Sequence, residues 1–491
     1  EWRGAQRVQG AVVVLQRLRE NSSCYWGPAM EGRGEEAPGA HVLLLPYPTQ
    51  GHVNPMLEFG KRLVAHGLRA TVAVTRFIAN MSPRAEVVSS VRVAHISDGC
   101  DSGGCAEAES IKAYLDGFRE VGSRTLAGLI GEEAEQGRPV GWVVYDSFLP
   151  WGLEVAKGLG LRAAAFFTQT CTVDAFYYHA CHGRLGVPPP GPSVWVEGVG
   201  EVAVGDLPSL ISAPGPYKAY LEMVVNQFSN VKKADAVFIN SFYQLEPQAA
   251  DWMASLFPAK TIGPTIPSGY LDNPEGGDKH YGFDLCASDG RTCTEWLDSQ
   301  EPASVVYVSF GSLSTLGAQQ MEELAWGLTA SGKRFLWVVR GAEGGELPAS
   351  CRAAEAGGKG LVVPWCGQLE VLAHPSVGCF LTHCGWNSTL EGLCLGVPMV
   401  AVPQWTDQPT NAKWVEAVWG TGVRAVAADE GGVVRRDEVE RRIREVMEGA
   451  RGEEIKKNAR NWRKLAVEAI SDGGTSHRNI RQFVDAVIIG K

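Results

Sequence analysis

Positive charge is scarce in this 491-residue chain: 45 Lys and Arg face 55 Asp and Glu, for a formal charge of −10. That balance excludes the basic footprint of a nucleic-acid binder, and an anionic ligand would have to be held by local dipoles rather than by a basic field. Long apolar runs are missing too, since no segment reaches the ~18 uninterrupted apolar residues of a membrane span. The 12 cysteines are scattered without a C-x-x-C pair, so a disulfide framework is not expected and reduced thiols in the cytoplasm are. Neither half of the chain follows its opening strand with G-x-G-x-x-G, which speaks against a nicotinamide dinucleotide site.

What remains is globular: 45% hydrophobic and 20% charged residues, in a chain too long for one ordinary core. Residues 1–29 start at Glu1 and hold only the short run Ala11–Leu15. They read as a disordered upstream extension, with Met30 as the suspected start. From His41 onward, short apolar runs alternate with helical patterns: HVLLLPY, a PTQGH turn, a helix over Val53–His66, then LRATVAVT. Strands follow at Val91–Ile96, Gly141–Tyr145, Ala163–Phe167 and Ala236–Asn240, with a helix over Ile111–Ile130. A Pro/Gly/Asp-rich stretch at 263–290 reads as a linker. The alternation restarts with SVVYVSF, RFLWVV, GLVVPW, GCFLTH and PMVAVP, and with helices at Gln319–Ser331, from Asn387, and at Thr410–Trp419. Alternating β and α predicts two doubly wound parallel sheets facing each other across a cleft. The expected division is 30–262, linker 263–290, 291–474, and a terminal helix within 475–491 that packs back towards the first domain.

One segment carries most of the chemistry, Trp365 to Gln408: WCGQLEVLAHPSVGCFLTHCGWNSTLEGLCLGVPMVAVPQWTDQ. Trp365 follows a strand, where a flat indole can stack on a base; alone it would as readily be a core tryptophan. FLTHCGWNS is a strand, a turn through Gly385 and a helix start, and the free N–H groups of that start form an anion site beside His383, Asn387 and Ser388. Ser388 and Asn387 could equally be plain helix caps. Glu391, one turn into the helix, can accept from two vicinal hydroxyls as ribose-binding carboxylates do. Asp407 and Gln408, on a later loop at the same sheet edge, suit sugar hydroxyls. In the first half, His52 lies in the turn after the opening strand and Asp146 ends the strand GWVVYD. A carboxylate beside an imidazole orients the ring and stabilises the imidazolium, and such a pair can take a proton from an attacking hydroxyl.

The spacing of these residues resembles the signature box of plant family 1 UDP-dependent glycosyltransferases, enzymes of the GT-B fold, from the opening Trp to the closing Gln without insertion or deletion. Gly367 stands where that family often has proline or serine. The resemblance implies Trp365 and the Cys366 backbone on uracil, Gln368 and Glu391 on ribose, and His383, Asn387 and Ser388 on the diphosphate. It implies Trp386, Asp407, Gln408 and Thr168 on the sugar, with the closing Gln favouring UDP-glucose. Ser309–Ser312 matches as well, with Ser312 donating to phosphate. The Q-G-H-x-N-P turn and strand-end Asp resemble the family's catalytic dyad, His52 as base and Asp146 as its orienter, giving inversion. No D-x-D occurs, so a metal-free diphosphate site without any further cofactor is expected. The acceptor pocket is expected from loops near His52, 100–109, 148–151, 176–178 and 207–217, lined for a small hydrophobic molecule. Some phrases resemble the subgroup acting on small carboxylic acids and phenols. A monomer that binds UDP-glucose and this acceptor, with no nucleic acid and no membrane segment, completes the expectation. A catalytically inactive nucleotide-sugar binder is the alternative.

Overall fold

The structure is a computed structural model that describes residues 40–81, 90–283, 290–340, 352, 355, 357–427 and 432–490. The expected extension at 1–29 lies outside the described residues.

Fifteen strands are described. In the first half, β1 (His41–Leu45), β2 (Arg69–Thr75), β3 (Arg92–Ile96), β4 (Trp142–Asp146), β5 (Arg162–Phe167), β8 (Ala236–Ile239) and β9 (Ala259–Thr261) form one parallel sheet in the order β3-β2-β1-β4-β5-β8-β9. Between β5 and β8, β6 (Ser193–Val196) and β7 (Gly200–Ala203) form a separate antiparallel hairpin. In the second half, β10 (Val305–Ser309), β11 (Arg334–Val338), β12 (Gly360–Val363), β13 (Val377–Thr382), β14 (Met399–Ala401) and β15 (Gly422–Arg424) pair in parallel in the order β12-β11-β10-β13-β14-β15. The central strands β1, β4, β10 and β13 are buried along their whole length. Continuous apolar runs of this kind belong to parallel strands covered by helices on both faces. The structure thus has the two Rossmann-like sheets of an α/β protein of the GT-B kind.

Each sheet reverses its strand order once, between β1 and β4 and between β10 and β13. Ligands of open α/β sheets bind at those switch points, beyond the strands' carboxyl ends. The register Leu45↔Tyr145 brings the turn after β1 and the end of β4 to one edge. Ser309↔Thr382 does the same for the loops after β10 and β13.

Several boundaries move. The helix expected from Val53 begins at Gln50, so His52 sits in its first turn. The helix expected from Asn387 begins at Trp386 behind Gly385. The expected helix at Thr410–Trp419 is α-helical only over Gln408–Lys413 and passes into a π-helical turn at Trp414–Val418. Strands β9 and β15, three residues each, and the β6–β7 hairpin are additions to the sequence reading.

The segment after β9 is tightly packed: Ile262, Ile266 and Leu271 are buried in the core that runs between the sheets. The terminal helix Thr475–Ile489 lies on the first sheet, with Phe483 edge-on to Trp142 at 5.0 Å and to Phe238 at 4.8 Å. Asn479 and Ser476 of that helix donate to the carbonyls of Thr261 and Gly263.

Candidate active site

A cavity of about 610 Å³ opens between the two sheets at their switch points. Every donor-site and catalytic residue singled out from the sequence lines it except Asp146, which lies fully buried behind His52.

The imidazole is held on several sides. Its Nδ1 is 2.7 Å from Asp146 Oδ2 and 3.3 Å from Thr168 Oγ1, and its ring packs on Tyr47 at 5.3 Å and Phe148 at 4.8 Å. Asp146 in turn accepts the backbone N–H groups of Tyr47 (3.3 Å) and Phe148 (3.0 Å). A carboxylate fixed by two amides and facing Nδ1 puts the proton on that nitrogen and leaves the Nε2 lone pair for the cavity.

On the opposite wall, Trp365 stands half-buried at the end of β12. Gln368 connects three groups: its Nε2 donates to Ser388 Oγ (2.9 Å) and Glu391 Oε2 (2.6 Å), while its Oε1 accepts from Tyr307 Oη (3.2 Å). Burial pushes the Glu391 carboxyl up to about 7, against the pull of hydrogen bonds from Gln368 and Tyr281. His383 follows β13; burial and the nearby Arg340 cation lower it to about 4, so it meets a ligand as a neutral imidazole. Arg340 also donates to the carbonyls of Ser312 and Ser314, fixing the loop after β10. In that loop Gly311 has φ +71°, and a Cβ there would stand 2.7 Å from the His383 ring. Only glycine allows this approach.

Gly385 caps the helix Trp386–Leu395 and brings no capping side chain. Asn387 and Ser388 are therefore not caps. Asn387 Nδ2 donates instead to the carbonyl of Gly51, at 2.8 Å, in the other half. The reason lies in the sequence: Pro55, four residues on, has no N–H to give that carbonyl, so the helix leaves it open. Trp386, expected on the sugar, donates its indole N–H across the halves to the carbonyl of Asn240 at 2.7 Å. Asp407 is buried, which raises its carboxyl pKa; Thr406, Asn411 and the backbone of Trp386 hydrogen-bond it. Gln408 Oε1 accepts the N–H groups of Gln404 (2.8 Å) and Trp405 (3.1 Å), which turns its NH₂ away from its own loop.

The chain matches the family model described as "UDP-glucoronosyl and UDP-glucosyl transferase" over residues 287–463. It is 44% identical to "Mogroside I-E synthase" of Siraitia grosvenorii, over 90% of this chain and 97% of that protein. To a flavonol 7-O-beta-glucosyltransferase of Arabidopsis thaliana it is 43% identical, over 91% and 98%. The crystal structure of Os79 from O. sativa in complex with UDP superposes with a TM-score of 0.85 at 45% identity, covering 91% of this chain and 100% of that one. This chain is a plant family 1 UDP-glycosyltransferase.

The glycosyltransferase's cavity continues from His52 into an apolar side lined by Phe148, Leu210, Tyr220, Met223 and Val224. Here the sequence expectation needs correction. Phe176–Tyr178 lie inside the helix Cys171–Cys181 and are core residues, and Trp151 packs on Phe118 at 5.3 Å. The loop at 100–109 stands behind that wall, with Cys105 close to Tyr47 and Tyr220 rather than lining the cavity itself. The apolar wall comes largely from the helix Lys218–Asn226, whose Met223 and Val224 were passed over in favour of aromatic loops. Trp405 also lines the cavity, its ring 5.5 Å from that of Tyr217 and 5.6 Å from that of Tyr220. Tyr281 and Tyr307 were also missed, since single tyrosines outside the box carry no sequence signal of their own.

Proposed function

We propose that this UDP-glycosyltransferase uses UDP-glucose, works without a metal, inverts the anomeric centre and glucosylates a hydroxyl or carboxyl of a small hydrophobic molecule. The observation that carries the reading is the His52–Asp146 pair at one switch point, opening onto a cavity whose opposite wall is the Trp365–Gln408 box. In this reading Trp365 stacks on uracil, the Cys366 backbone meets its polar edge, and Glu391 with Gln368 takes the ribose hydroxyls. Ser312, His383, Asn387, Ser388 and the helix start behind Gly385 face the diphosphate; Thr168, Trp386, Asp407 and Gln408 face the sugar.

His52 Nε2 takes the acceptor proton as the acceptor oxygen attacks the anomeric carbon from the face opposite UDP. The bond from that carbon to the phosphate oxygen breaks, and its electron pair leaves with UDP. Asp146 stabilises the imidazolium formed. Charge building on UDP meets N–H and hydroxyl dipoles already aimed at it, which supports the metal-free reading together with the lack of D-x-D. The Gln408 NH₂, turned away from its own loop, supports glucose as the donor sugar. For the acceptor, support comes from the apolar wall and from relatives named for a mogroside, a flavonol and crocetin, and from Os79 in complex with a trichothecene. No described helix is long and apolar enough to cross a membrane; a cytoplasmic monomer completes the proposal. The inactive-binder alternative has no feature in its favour.

Transfer from UDP-glucose and UDP-galactose to a phenol, an aromatic acid and a steroid alcohol, with and without EDTA, tests this. The expected result is UDP-glucose transfer insensitive to EDTA, with alkali lability separating ester from ether products. Activity lost in EDTA and restored by a divalent cation would overturn the metal-free part, and equal use of both donors the glucose part.

A further inference from the structure

The loop that carries Asp407 and Gln408 is held from the first half of the chain. Thr406, just before them, stands in left-handed backbone with φ +55°, a conformation that a β-branched residue keeps only where its surroundings impose it. Ser209 supplies that restraint. Its N–H donates to the carbonyl of Thr406 and its Oγ accepts the Thr406 N–H, both at 2.7 Å. One residue therefore holds the polar groups on both sides of the left-handed position, which fixes its φ and ψ together. Three residues earlier, the Asp206 carbonyl accepts from Thr410 Oγ1 at 2.8 Å, and the Asp206 carboxylate lies 2.6 Å from Arg424 Nη1 and 3.8 Å from Lys413 Nζ. Thr410 and Lys413 belong to the helix Gln408–Lys413, so the segment 206–209 grips both the turn at Thr406 and the helix that follows it.

The restraint reaches the cavity through short contacts. Thr406 Oγ1 donates to Asp407 Oδ1 at 2.8 Å, and Asn411 Nδ2 donates to Asp407 Oδ2 at 2.7 Å. With a donor on each oxygen, the rotation of that carboxylate is fixed while lone pairs remain for a ligand. Gln408 takes the N–H groups of Gln404 and Trp405, so its side chain follows the same turn. Ser209 stands outside the cavity lining, whereas Leu210 beside it belongs to the apolar wall. We propose that Ser209 is a positioning residue for the donor sugar: from the apolar side of the cavity it clamps Thr406 and so aims Asp407 and Gln408 at the sugar hydroxyls. The proposal rests on the reading of those two residues as the sugar contacts.

The test is calorimetric binding of UDP and UDP-glucose to the full chain and to its Ser209→Ala, Ser209→Thr and Asp407→Asn variants. UDP lacks the sugar, so the ratio of the two affinities reads the sugar contacts, and a retained UDP affinity reports an intact fold. Alanine removes the hydroxyl and keeps the backbone N–H, whereas threonine keeps both. A hydrogen bond between uncharged groups corresponds to about fivefold in affinity. Ser209→Ala is expected to weaken UDP-glucose by about that factor and to bind UDP as the unaltered chain does. Ser209→Thr is expected to bind both nucleotides normally. An unchanged ratio in Ser209→Ala, or the same loss in Ser209→Thr, would overturn the role of Ser209 while Asp407→Asn still alters the ratio. If Asp407→Asn itself leaves the ratio unchanged, the sugar reading falls and this proposal with it.

Discussion

Replacing His52 by alanine separates chemistry from binding in this enzyme. The imidazole lies against Asp146, Tyr47, Phe148 and Thr168, and the box that faces it across the cavity is untouched by its removal. Loss of a positioned general base costs about 10²–10⁴-fold in turnover, or about 3–5.5 kcal/mol of barrier. Asp146 keeps the N–H groups of Tyr47 and Phe148, so the buried carboxylate loses one partner of three and the fold loses about 1–3 kcal/mol. The assay is single-turnover transfer from UDP-glucose to a phenol and to an aromatic carboxylate, with UDP affinity measured in parallel. The phenol must give up a proton as it attacks, whereas the carboxylate is already ionised at neutral pH. The expected pattern is a large loss on the phenol, a smaller one on the acid, and retained UDP binding. Near-native turnover on the phenol, or identical losses on both acceptors, would refute the general-base argument.

Three further outcomes follow from the donor wall. Burial raises Glu391 from 4.5 to about 7, so between those values the folded state holds its proton more tightly than the unfolded chain. Stability therefore falls through that window as pH rises, while affinity for UDP-glucose climbs by up to about tenfold per unit below pH 7 and then levels. Calorimetry in buffers of different ionisation enthalpy should detect proton release on binding near pH 6; a flat profile contradicts the ribose role. Gly311→Ala forces a side chain into left-handed backbone, at about 1–2 kcal/mol, and pushes on the His383 ring. Steady-state kinetics should show the KM for UDP-glucose up by about tenfold. Asn387→Ala leaves the Gly51 carbonyl without its partner, worth about 1–3 kcal/mol in urea unfolding. The same change in a Pro55→Ala background should cost about 1 kcal/mol less, because the new N–H can reach Gly51.

The sheets were legible because their central strands are unbroken apolar runs such as Val42–Leu45 and Val305–Val308, and burial on both faces needs nothing else. Short edge strands gave no such signal: β9 and β15 have three residues each and depend on a neighbour already in place. The Trp365–Gln408 box was legible because its spacing is fixed by one strand, one helix and the loop after the next strand. The apolar wall was legible only at Phe148 and Leu210, because the rest comes from the helix Lys218–Asn226, where Met223 and Val224 look like any apolar stripe. Which face of a helix meets a cavity and which meets a core depends on packing partners that lie hundreds of residues away.

Asn387 and Trp386 show a different limit, since their residue types pointed to a ligand and their geometry points first to the other half of the molecule. Asn387 reaches the carbonyl that Pro55 leaves open, one residue before His52, and Trp386 reaches the carbonyl of Asn240 just beyond β8. Both side chains belong to the first turn of the helix that starts behind Gly385 at the cavity. An in-line displacement requires the anomeric carbon and the base to be held within a few tenths of an ångström, and these groups come from separate sheets. Two short hydrogen bonds at the helix start, one of them beside the base, tie those sheets together where such error would matter most. Pro55, which in a sequence looks only like a flaw in a helix, is what makes the Gly51 carbonyl available for that joint.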